Sequence, residues 1–550
     1  MSADRSLETG LRTGRLDVDL LAAFPEQDEA DRAAGDRWVA RAAAFTEAAV
    51  PDPDEVDRTR RLPDGLIDGL RRQGFLTAAF PAELGGAALS PYNVVRVVAA
   101  AARHSVPVGQ VIAIQAGVGA GALYPALPEG SLRDMVRERI AGGALSGFGD
   151  TDRAGQNNRL PRMTATPDGD DVVLHGEKLF TGNGPVADLL AVSATLDGGI
   201  CVCFVDTADP GFSVESTVDF TGSAGLPNGA LRFDGVRVPR EHVLSGAEGQ
   251  LRLPAVINSI AFLGRLYFTG APALAVARNC LEWTRDFVTR RSVDGRPLAD
   301  YDRVQRMVAR AMADVYAMDS VARWSLVGGG ITDRWLERFV AKNVLTRTAW
   351  KLVDRTIALM GAEGLETVAS KRRRGAPPLP VERALRDARG FRMAGNVDVR
   401  LDDQAATLLL AADRTGTRPL PDEGGVDLRA LDLTPRNQEH LAALAQQTRW
   451  FARSCAEAAR RPRADLAEDQ EFLVTTGRLA AELVSVSAVL ARTNALGTGE
   501  AQELADVHCT AALDRLSVLW RRLRRDGQPD HHKISRGWLT GSTFPSLTTT

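Results

Sequence analysis

Residues 381–389 read VERALRDAR, and this charged stretch lies in a long run rich in Ala, Leu and Arg that extends from about residue 251 to about residue 412. Such a run is typical of helices. The chain has a different character before it, with short segments that are rich in β-branched residues and bounded by turn-forming residues. These segments are DVVLHGEKLF (171–180), LLAVSAT (189–195), ICVCFVDT (200–207) and ALRFDGVRV (230–238). They predict the strands of a β domain of about 100 residues.

Residues 1–145 also predict helices, since LPDGLIDGLRRQGF (62–75) has apolar residues near helical spacing. A polar segment with Pro and Gly, DRTGTRPLPDEGG (413–425), predicts a linker after the long helical run. The predicted domains are an N-terminal helical domain (1–145), a middle β domain (146–250), a helical bundle (251–412), a linker (413–429), an additional C-terminal helical domain (430–525) and an irregular tail (526–550).

Composition narrows the functional classes. The 550 residues are 44% hydrophobic and 25% charged with a net charge of −3, which is ordinary for a globular protein and disfavours nucleic acid as a partner. The N-terminus lacks a basic segment followed by an apolar core, and no uninterrupted apolar run of membrane-spanning length is present. The five cysteines (201, 203, 280, 455 and 509) show no metal-site spacing, so we expect reduced thiols, no metal and a cytoplasmic location.

Five motifs in order narrow the fold. They are GFLTAAFPAELGG (74–86), FDGVRVP (233–239), Arg291 followed by GRPL (295–298) and Val304-Gln305, ALMGAEG (358–364), and VERALRDAR. Together they resemble the acyl-CoA dehydrogenase family over roughly residues 60–410. By length and the added helical block, the chain is similar to the very-long-chain branch. The resemblance implies a mostly α fold with a middle β-barrel-like domain, FAD between that domain and the bundle, and a homodimer or homotetramer in which a neighbouring subunit completes the site.

The resemblance also implies which residues hold FAD. DTDRAGQNN (150–158) aligns with the loop at the flavin, and KLFTGN (178–183) aligns with the strand at its ring. Gly182 occupies the place of the threonine that usually meets flavin N5, so either Thr181 substitutes or the backbone does. Arg291 is the candidate for the pyrophosphate, and Asp398 for the ribose of the adenosine half. The full predicted set is Asp150, Thr151, Gly155, Gln156, Phe180, Thr181, Gly182, Arg291, Gln305, Met360, Gly361, Ala362, Gly364, Asn396 and Asp398.

The catalytic base of the family is missing. Relatives remove an α-proton with a glutamate placed shortly after the Arg-Asp pair, and here that place holds Ala394 or Gly395. A minority of relatives place the base on the first bundle helix, where this chain has Gly264 before Arg265. Neither alanine nor glycine can accept a proton. Asp398 and Asp402 are the possible substitutes.

The empty base positions favour a substrate that supplies its own carbanion. Decarboxylation of a β-keto acid would give an enolate, hydride transfer from Cβ to FAD would give an enone, and oxygenation by the reduced flavin would follow. This resembles the family branch that makes epoxyketone natural products. Two alternatives stay open for the substrate, a free acid or one bound to CoA or a carrier, and two for the oxidant, O2 or an electron-transfer flavoprotein. The alternatives are a conventional acyl-CoA or acyl-carrier-protein dehydrogenase with a displaced base, a flavin-dependent hydroxylase, and a non-catalytic subunit of a hetero-oligomer.

Overall fold

The computed structural model describes residues 6–156, 158, 160–245, 255–414, 428–524, 529–543 and 547. The chain begins with helices whose first turns are capped by side chains, as where Ser90 accepts from the backbone N–H of Asn93 and Pro91 opens the helix. These N-terminal helices are α1 (Leu7–Thr13), α2 (Val18–Ala22), α3 (Glu29–Ala49), α4 (Pro53–Thr59), α5 (Leu66–Arg72), α6 (Pro91–His104), α7 (Val106–Gly117) and α8 (Ser131–Ala141).

The middle domain is an eight-stranded sheet in the order β6-β7-β3-β2-β4-β5-β8, with β1 paired to β4. Every residue from Leu189 to Ala194 is buried, as expected for a strand covered on both faces. Among the described strands, β6 and β8 at the two ends of the order are not paired with each other. The strands are β1 (Ser146–Gly149), β2 (Thr164–Asp168), β3 (Asp171–Gly182), β4 (Leu189–Leu196), β5 (Gly199–Asp206), β6 (Phe212–Thr217), β7 (Asn228–Pro239) and β8 (Val243–Ser245).

A helical bundle follows. Its first helix is nearly continuous over Ala255–Arg290, because a π-helical turn at Leu266–Gly270 joins α9 to α10. A small hairpin of β9 (Ser292–Val293) and β10 (Arg296–Pro297) precedes the next long helix. The bundle helices are α9 (Ala255–Arg265), α10 (Ala271–Arg290), α11 (Asp302–Leu326), α12 (Trp335–Met360), α13 (Ala362–Leu365), α14 (Val368–Arg373), α15 (Val381–Phe391) and α16 (Asp398–Arg414).

The additional helices pack directly on the bundle. The hydroxyl groups of Tyr316 and Thr493 lie 3.0 Å apart, and a Cβ at Gly477 would lie 2.0 Å from the backbone oxygen of Asp402. Only glycine permits that crossing of α19 over α16. These helices are α17 (Pro435–Ala459), α18 (Arg463–Glu468), α19 (Gln470–Leu496), α20 (Gly499–Arg524) and α21 (His531–Leu539).

The predicted fold class is confirmed: the chain is mostly helical, with a middle β domain and a C-terminal helical extension. One detail was wrong, since the tail expected to be irregular contains α21, whose exposed Ile534 and Trp538 lie one helical turn apart. The predicted linker falls mostly on residues 415–427, outside the described residues. The exact domain boundaries stay predictions.

Three helical segments are long and apolar enough to cross a membrane by length and composition, although the sequence contains no uninterrupted apolar run of that length. They are Val106–Ala126, Ile257–Arg290 and Gln470–Leu496, and their most apolar windows are 83%, 78% and 89% buried within the fold. In this structure their apolar surface therefore serves the protein core.

The VERALRDAR stretch forms α15 and joins three parts of the chain. Arg386 donates to both carboxylate oxygens of Asp57 on α4, at 2.8 and 2.7 Å, and to the backbone oxygen of Thr221 in the β domain. The neighbouring carboxylate of Asp387 accepts from the backbone N–H of Ser223 at 2.6 Å. The charged VERALRDAR segment, which resembles a family motif, thus contacts both the N-terminal helices and the sheet and fixes them against the bundle.

Asp387 gives this contact a pH dependence. Burial raises the pKa of Asp387 to about 6, above its unfolded value near 3.8. Between these two values the folded state holds a proton that the unfolded state has lost, so this contribution to stability falls as pH rises from about 4 to about 6.

We predict that Asp387→Asn, which still accepts from Ser223, removes this dependence. The unfolding free energy of the wild type should fall relative to D387N by as much as about 3 kcal/mol between pH 4 and pH 7. Urea denaturation followed by tryptophan fluorescence at several pH values measures the difference. The exposed Asp302 provides the control, since D302N should track the wild type at every pH. A constant wild type–D387N difference across the range would contradict the prediction.

Candidate functional site

Phe180 is presented at the surface of the sheet by an irregularity in β3. The β3–β7 register shifts between Lys178 and Thr181, and Phe180 within this bulge has a φ of 57°. A bulky residue in the left-handed region is strained, and such strain is concentrated at functional sites. The ring is 54% exposed and lies 6.0 Å from the ring of Phe220, while Asn228 donates to the Phe180 carbonyl. The bulge therefore aims an aromatic ring outward, as predicted for the flavin-facing position.

The surroundings of Thr181 and Gly182 bear on which of the two would contact flavin N5, the Thr181 hydroxyl or the Gly182 backbone. Thr181 is buried, and its hydroxyl has no hydrogen-bond partner among the described residues. Its methyl group packs inward, because a Cβ at Gly184 would lie 2.9 Å from Thr181 Cγ2. A Cβ at Gly182 would lie only 2.6 Å from Cδ1 of Ile114. Since Ile114 fills the space of a side chain at position 182, the Gly182 backbone is the better candidate for a contact with flavin N5.

The loop at residues 150–156 is tied to the same bulge. The Asp150 carboxylate accepts from Ser193 at 3.0 Å and from Gln156 at 2.9 Å. The Thr151 carbonyl accepts from the backbone N–H of Leu179 at 2.7 Å. The loop that aligns with the family's flavin loop thus lies beside Phe180.

A buried lysine on β3 and an open glycine turn adjoin or belong to this loop. Lys178 is fully buried, and its Nζ donates to the backbone oxygen of Asp150 and to Ser193. Burial lowers the pKa of Lys178. Gly155 has a φ of 86°, and a Cβ there would meet no atom within 4 Å. The backbone around Gly155 is therefore open to close approach by a ligand.

The segment at the vacant base position is held by a buried lysine. Ala394 and Gly395 lie between α15 and α16, and Gly395 has a φ of 65°. Lys342 on α12 donates from Nζ to the backbone oxygens of Arg392 and Asn396, at 3.1 and 3.0 Å. Burial lowers the pKa of Lys342 to about 7. Lys342 thus positions the segment through its carbonyl groups, a role that the sequence did not reveal.

The second base position is closed as well as unoccupied. A Cβ at Gly264 would lie 2.1 Å from the backbone oxygen of Gly117 on α7. Any carboxylate-bearing residue at position 264 would have to displace that backbone. The next residue, Arg265, lies against the first base position instead, since a Cβ at Gly395 would be 3.0 Å from Arg265 Cγ. Asp150 acts electrostatically on Arg265, so the flavin loop and both base positions converge at one place.

Asp398 and Asp402 belong to a buried ion-pair cluster. Arg347 donates to Asp398 at 2.9 Å and to both carboxylate oxygens of Asp402, and each aspartate is 2% exposed. Arg392 forms a further ion pair with Asp398. Arg478 of the C-terminal helices donates to the Asp402 carboxylate at 3.0 Å. Burial alone would raise the pKa of Asp398, but the Arg347 and Arg392 guanidinium groups outweigh it and hold the pKa at about 2.

This geometry disfavours two predictions, the one that Asp398 or Asp402 substitutes for the base and the one that Asp398 contacts a ribose. A buried carboxylate with so low a pKa is a poor proton acceptor for an α-carbon, and both aspartates are engaged by arginines rather than facing a cavity. The same engagement is at odds with the predicted contact between Asp398 and a ribose. Its neighbour Asn396 has a φ of 84° and accepts from the backbone N–H of Val397, so its side chain caps its own turn.

The remaining predicted residues lie together at one end of α10, α11 and α12. Met360 packs in a cluster with Phe287, Val288 and Val304, and Arg291 follows α10 with an exposed side chain. Gly361 ends α12 with a φ of 59°. Ala362 and Gly364 form α13, and Gln305 lies in the first turn of α11. Among the described residues, no hydrogen bond or ion pair joins this group to the Phe180 region. Their separation within one chain is compatible with their serving a second subunit.

The residues around Phe180 fit a flavin. An exposed aromatic ring is held in a strained backbone, and an open glycine turn lies in the adjoining loop. Thr181 Oγ1 and Asn228 Oδ1 are buried polar atoms without partners at the same bulge. Buried polar atoms normally find partners, so unsatisfied ones indicate a site that a polar ligand completes. Sequence reasoning assigned no role to Lys178, Lys342 and Arg265. Only Arg265 carried a signal, as an isolated charge in an apolar helix.

Comparisons with known proteins place these features in a family. Family models describe residues 36–127 as an acyl-CoA dehydrogenase N-terminal domain, residues 149–236 as the middle domain and residues 263–409 as the C-terminal domain, which together cover more than half of the chain. A crystal structure of an acyl-CoA dehydrogenase complexed with FAD from Bacillus anthracis has the same fold, with a TM-score of 0.78 at 17% identity over 97% of this chain and 95% of that chain.

Several curated relatives share about a quarter of their aligned residues with this chain. "Probable acyl-CoA dehydrogenase FadE10" of Mycobacterium tuberculosis is 28% identical over 93% of this chain and 84% of its own length. The 3-sulfinopropanoyl-CoA desulfinase of Advenella mimigardefordensis is 26% identical over 66% of this chain and 90% of its own length. The human mitochondrial very long-chain specific acyl-CoA dehydrogenase is 24% identical over 71% of this chain and 60% of its own length.

We predict that Asp402→Asn lowers the unfolding free energy by about 3–5 kcal/mol, because it leaves buried arginines without their counter-charge. Asp398→Asn should behave similarly. Thermal and urea denaturation measure the loss. The matched control is Asp403→Asn on the same helix, which removes a single pair with the half-exposed Arg400 and should cost about 1 kcal/mol or less. Full stability of D402N together with lost catalysis would instead identify Asp402 as a catalytic group.

Proposed function

The chain belongs to the acyl-CoA dehydrogenase family and is an FAD-dependent oxidoreductase, and from this premise we propose that it oxidises a substrate whose own decarboxylation replaces proton abstraction. The substrate class is a β-keto acid with a free carboxylate, and any coenzyme A or carrier protein is attached at another position, because a thioester of this carboxylate cannot lose CO2. The product is an α,β-unsaturated ketone. When O2 is the oxidant, this product is oxygenated further to an epoxyketone.

One observation carries the proposal: neither family base position holds a carboxylate. Ala394 and Gly395 fill one family position, and Gly264 is closed by the Gly117 backbone at the other. Asp398 and Asp402 are consumed by ion pairs. A positioned base contributes about 10²–10⁴-fold to such a reaction, so its loss disfavours simple desaturation. A reaction that needs no base is the chemistry that this site retains.

The electron balance of the proposed reaction is complete. The bond between the α-carbon and the carboxylate breaks, CO2 leaves, and the electron pair remains as an enolate. Bound FAD would accept a hydride from a substituent carbon on the α-carbon, which is β to the ketone, and this leaves the enone. O2 or an electron-transfer flavoprotein then takes the two electrons. With O2 and one proton, one oxygen atom enters the enone as an epoxide and the other leaves as water.

A relative supports this type of chemistry. The Advenella mimigardefordensis protein, which aligns over 66% of the chain, is named as a desulfinase of 3-sulfinopropanoyl-CoA. Its name describes the removal of a substituent from an acyl-CoA rather than the removal of two hydrogens. The family scaffold is therefore compatible with carbanion formation by loss of a leaving group, which is the step that we propose here.

The residues of this chain divide the work of holding FAD. Phe180 and the Gly182 backbone would contact the flavin ring, and the loop around Gly155 would approach the ribityl and phosphate part. Arg291 and the Gly361 turn would serve the adenosine half of FAD in a second subunit, which gives a homodimer or a homotetramer. The exposed side chain of Arg291 leaves its guanidinium available for a pyrophosphate.

The cellular setting is also a proposal. All five cysteines are free and buried, and Cys201 and Cys203 lie side by side with their sulfur atoms 3.8 Å apart without forming a disulfide. Free thiols so close together are typical of a reducing compartment. We therefore place the protein in the cytoplasm.

The proposal predicts that the FAD-loaded enzyme reduces its flavin with a β-keto acid at least about 10²-fold faster than with the ketone formed by decarboxylation. A suitable pair is 2,2-dimethyl-3-oxooctanoate and 2-methyloctan-3-one, whose common product is 2-methyloct-1-en-3-one. Anaerobic loss of flavin absorbance measures the rates. Equal rates with both compounds would show that a proton acceptor exists and would refute the proposal.

The assignment of the vacant position predicts a gain of function. Ala394→Glu should restore proton removal, so that the variant exchanges the α-hydrogen of 2-methyloctan-3-one with D2O about 10²-fold faster than the wild type. Nuclear magnetic resonance measures the exchange. Ala394→Gln is the matched control, because it has the same size without a carboxylate. Equal exchange by A394E and A394Q would mean that position 394 does not face the α-carbon.

A further inference from the structure

Arg265 lies at a turn that is built differently from the rest of its helix. It ends α9, and the π-helical turn Leu266–Gly270 follows at once. Thr269 donates its hydroxyl to the Arg265 carbonyl at 2.8 Å within this turn. π-helical turns of this kind occur frequently at functional sites, because they redirect one side chain without ending the helix. Here the redirected side chain is a guanidinium in an otherwise apolar segment.

The guanidinium of Arg265 has no directly paired anion among the described residues. Among the described residues, no carboxylate or carbonyl oxygen lies within hydrogen-bonding distance of Arg265. Its neighbours are the rings of Phe262 and Phe339, whose centroids lie 5.6 and 5.7 Å away. Burial lowers the pKa of Arg265 to about 10, so it stays charged at neutral pH. Arg265 is only partly exposed, so its charge has lost part of its water without gaining a directly paired anion, and such a charge favours binding of an anionic ligand.

The side chain of Arg265 lies directly against the vacant base position. A Cβ at Gly395 would lie 3.0 Å from Arg265 Cγ and 3.9 Å from Cδ. Lys342 adds a second positive charge nearby, since its Nζ donates to the backbone oxygen of Asn396, the residue after Gly395. Burial lowers the pKa of Lys342, and the positive charge of Arg265 lowers it further. Among the described residues, the carboxylate of Asp150 is the group that raises the pKa of Arg265. The surroundings of the vacant base position are therefore positively charged, which favours an anion.

We propose that Arg265 binds the carboxylate on the α-carbon of the substrate, in the space that an enzymic carboxylate occupies in relatives. This inference rests on the proposed function and names the group that recognises its substrate. A guanidinium donates two parallel hydrogen bonds to a carboxylate, which fixes the plane of that group. Fixing this plane across the neighbouring carbonyl aligns the breaking bond with the π system that receives its electrons. Arg265 is thus a specificity-determining residue for carboxylated acyl groups.

The test separates binding from turnover. The probe is 3-hydroxy-2,2-dimethyloctanoate, which has the α-carboxylate but lacks the β-carbonyl and cannot decarboxylate. Its neutral counterpart is 3-hydroxy-2,2-dimethyloctanamide. Isothermal titration calorimetry with the FAD-loaded protein measures both. For Arg265→Gln we expect the affinity for the acid to fall by about 10- to 100-fold, and the affinity for the amide to stay unchanged.

Two variants complete the design. Arg265→Lys keeps the charge without the paired donors and should give an intermediate loss for the acid. Arg285→Gln removes an exposed charge from the same continuous helix and should leave both affinities unchanged. Flavin content and circular dichroism establish that each variant is folded and loaded. If folded R265Q binds the acid as tightly as the wild type, or if the wild type binds the acid no better than the amide, the inference fails.

Its failure is distinguishable from that of the proposed function. Tight Arg265-dependent binding of the acid, together with equal flavin reduction by the β-keto acid and its ketone, would keep the anion site and reject base-free oxidation. Fast reduction by the β-keto acid alone, with no effect of R265Q on binding of the acid, would keep the reaction and reject the role of Arg265.

Discussion

The site depends on one buried set of charges that joins three parts of the fold. Arg386 on α15 pairs with Asp57 of the N-terminal helices and reaches the loop that precedes β7, while Asp387 holds the same loop through Ser223. The close approach is possible because a Cβ at Gly222 would overlap the backbone oxygen of Arg386 at 2.4 Å. The residues predicted to face the flavin lie on the sheet, and the family base positions lie in the bundle. Their relative placement is therefore set by this junction.

The vacant base position at residues 394–395 lacks both the side chain and the negative charge of the family glutamate. Loss of a glutamate at residues 394–395 removes a negative charge, and the cations that such a group would balance are still present in Arg265 and Lys342. A buried cation left without an anion would destabilise the fold by several kcal/mol if nothing compensated it. The aromatic contacts of Arg265 and the carbonyl contacts of Lys342 compensate in part. In the function that we propose, an anionic substrate supplies what remains.

Sequence reasoning predicted the helix–sheet–helix order and the added helices, because hydrophobic periodicity and turn residues are local signals. It also found the vacant base positions, since they follow from the alignment of VERALRDAR. It could not foresee that Asp398 and Asp402 are spent on Arg347, because the partner lies about 50 residues away and the pairing exists only once α12 packs on α16. Lys342 was missed for the same reason: a lysine within a helix gives no sign that it is buried.

The crossing of α19 over α16 at Gly477 makes the C-terminal helices a structural part of the reaction centre rather than an appendage. The backbone of Asp402 touches that glycine, and the next residue, Arg478, pairs with the Asp402 carboxylate. Asp402 shares Arg347 with Asp398, which begins the helix after the vacant base position. A shorter relative that ends after α16 must balance these charges in another way. Exchange of the last helices between homologues would therefore require Gly477, Arg478 and the α16 aspartates to travel together as one inherited unit.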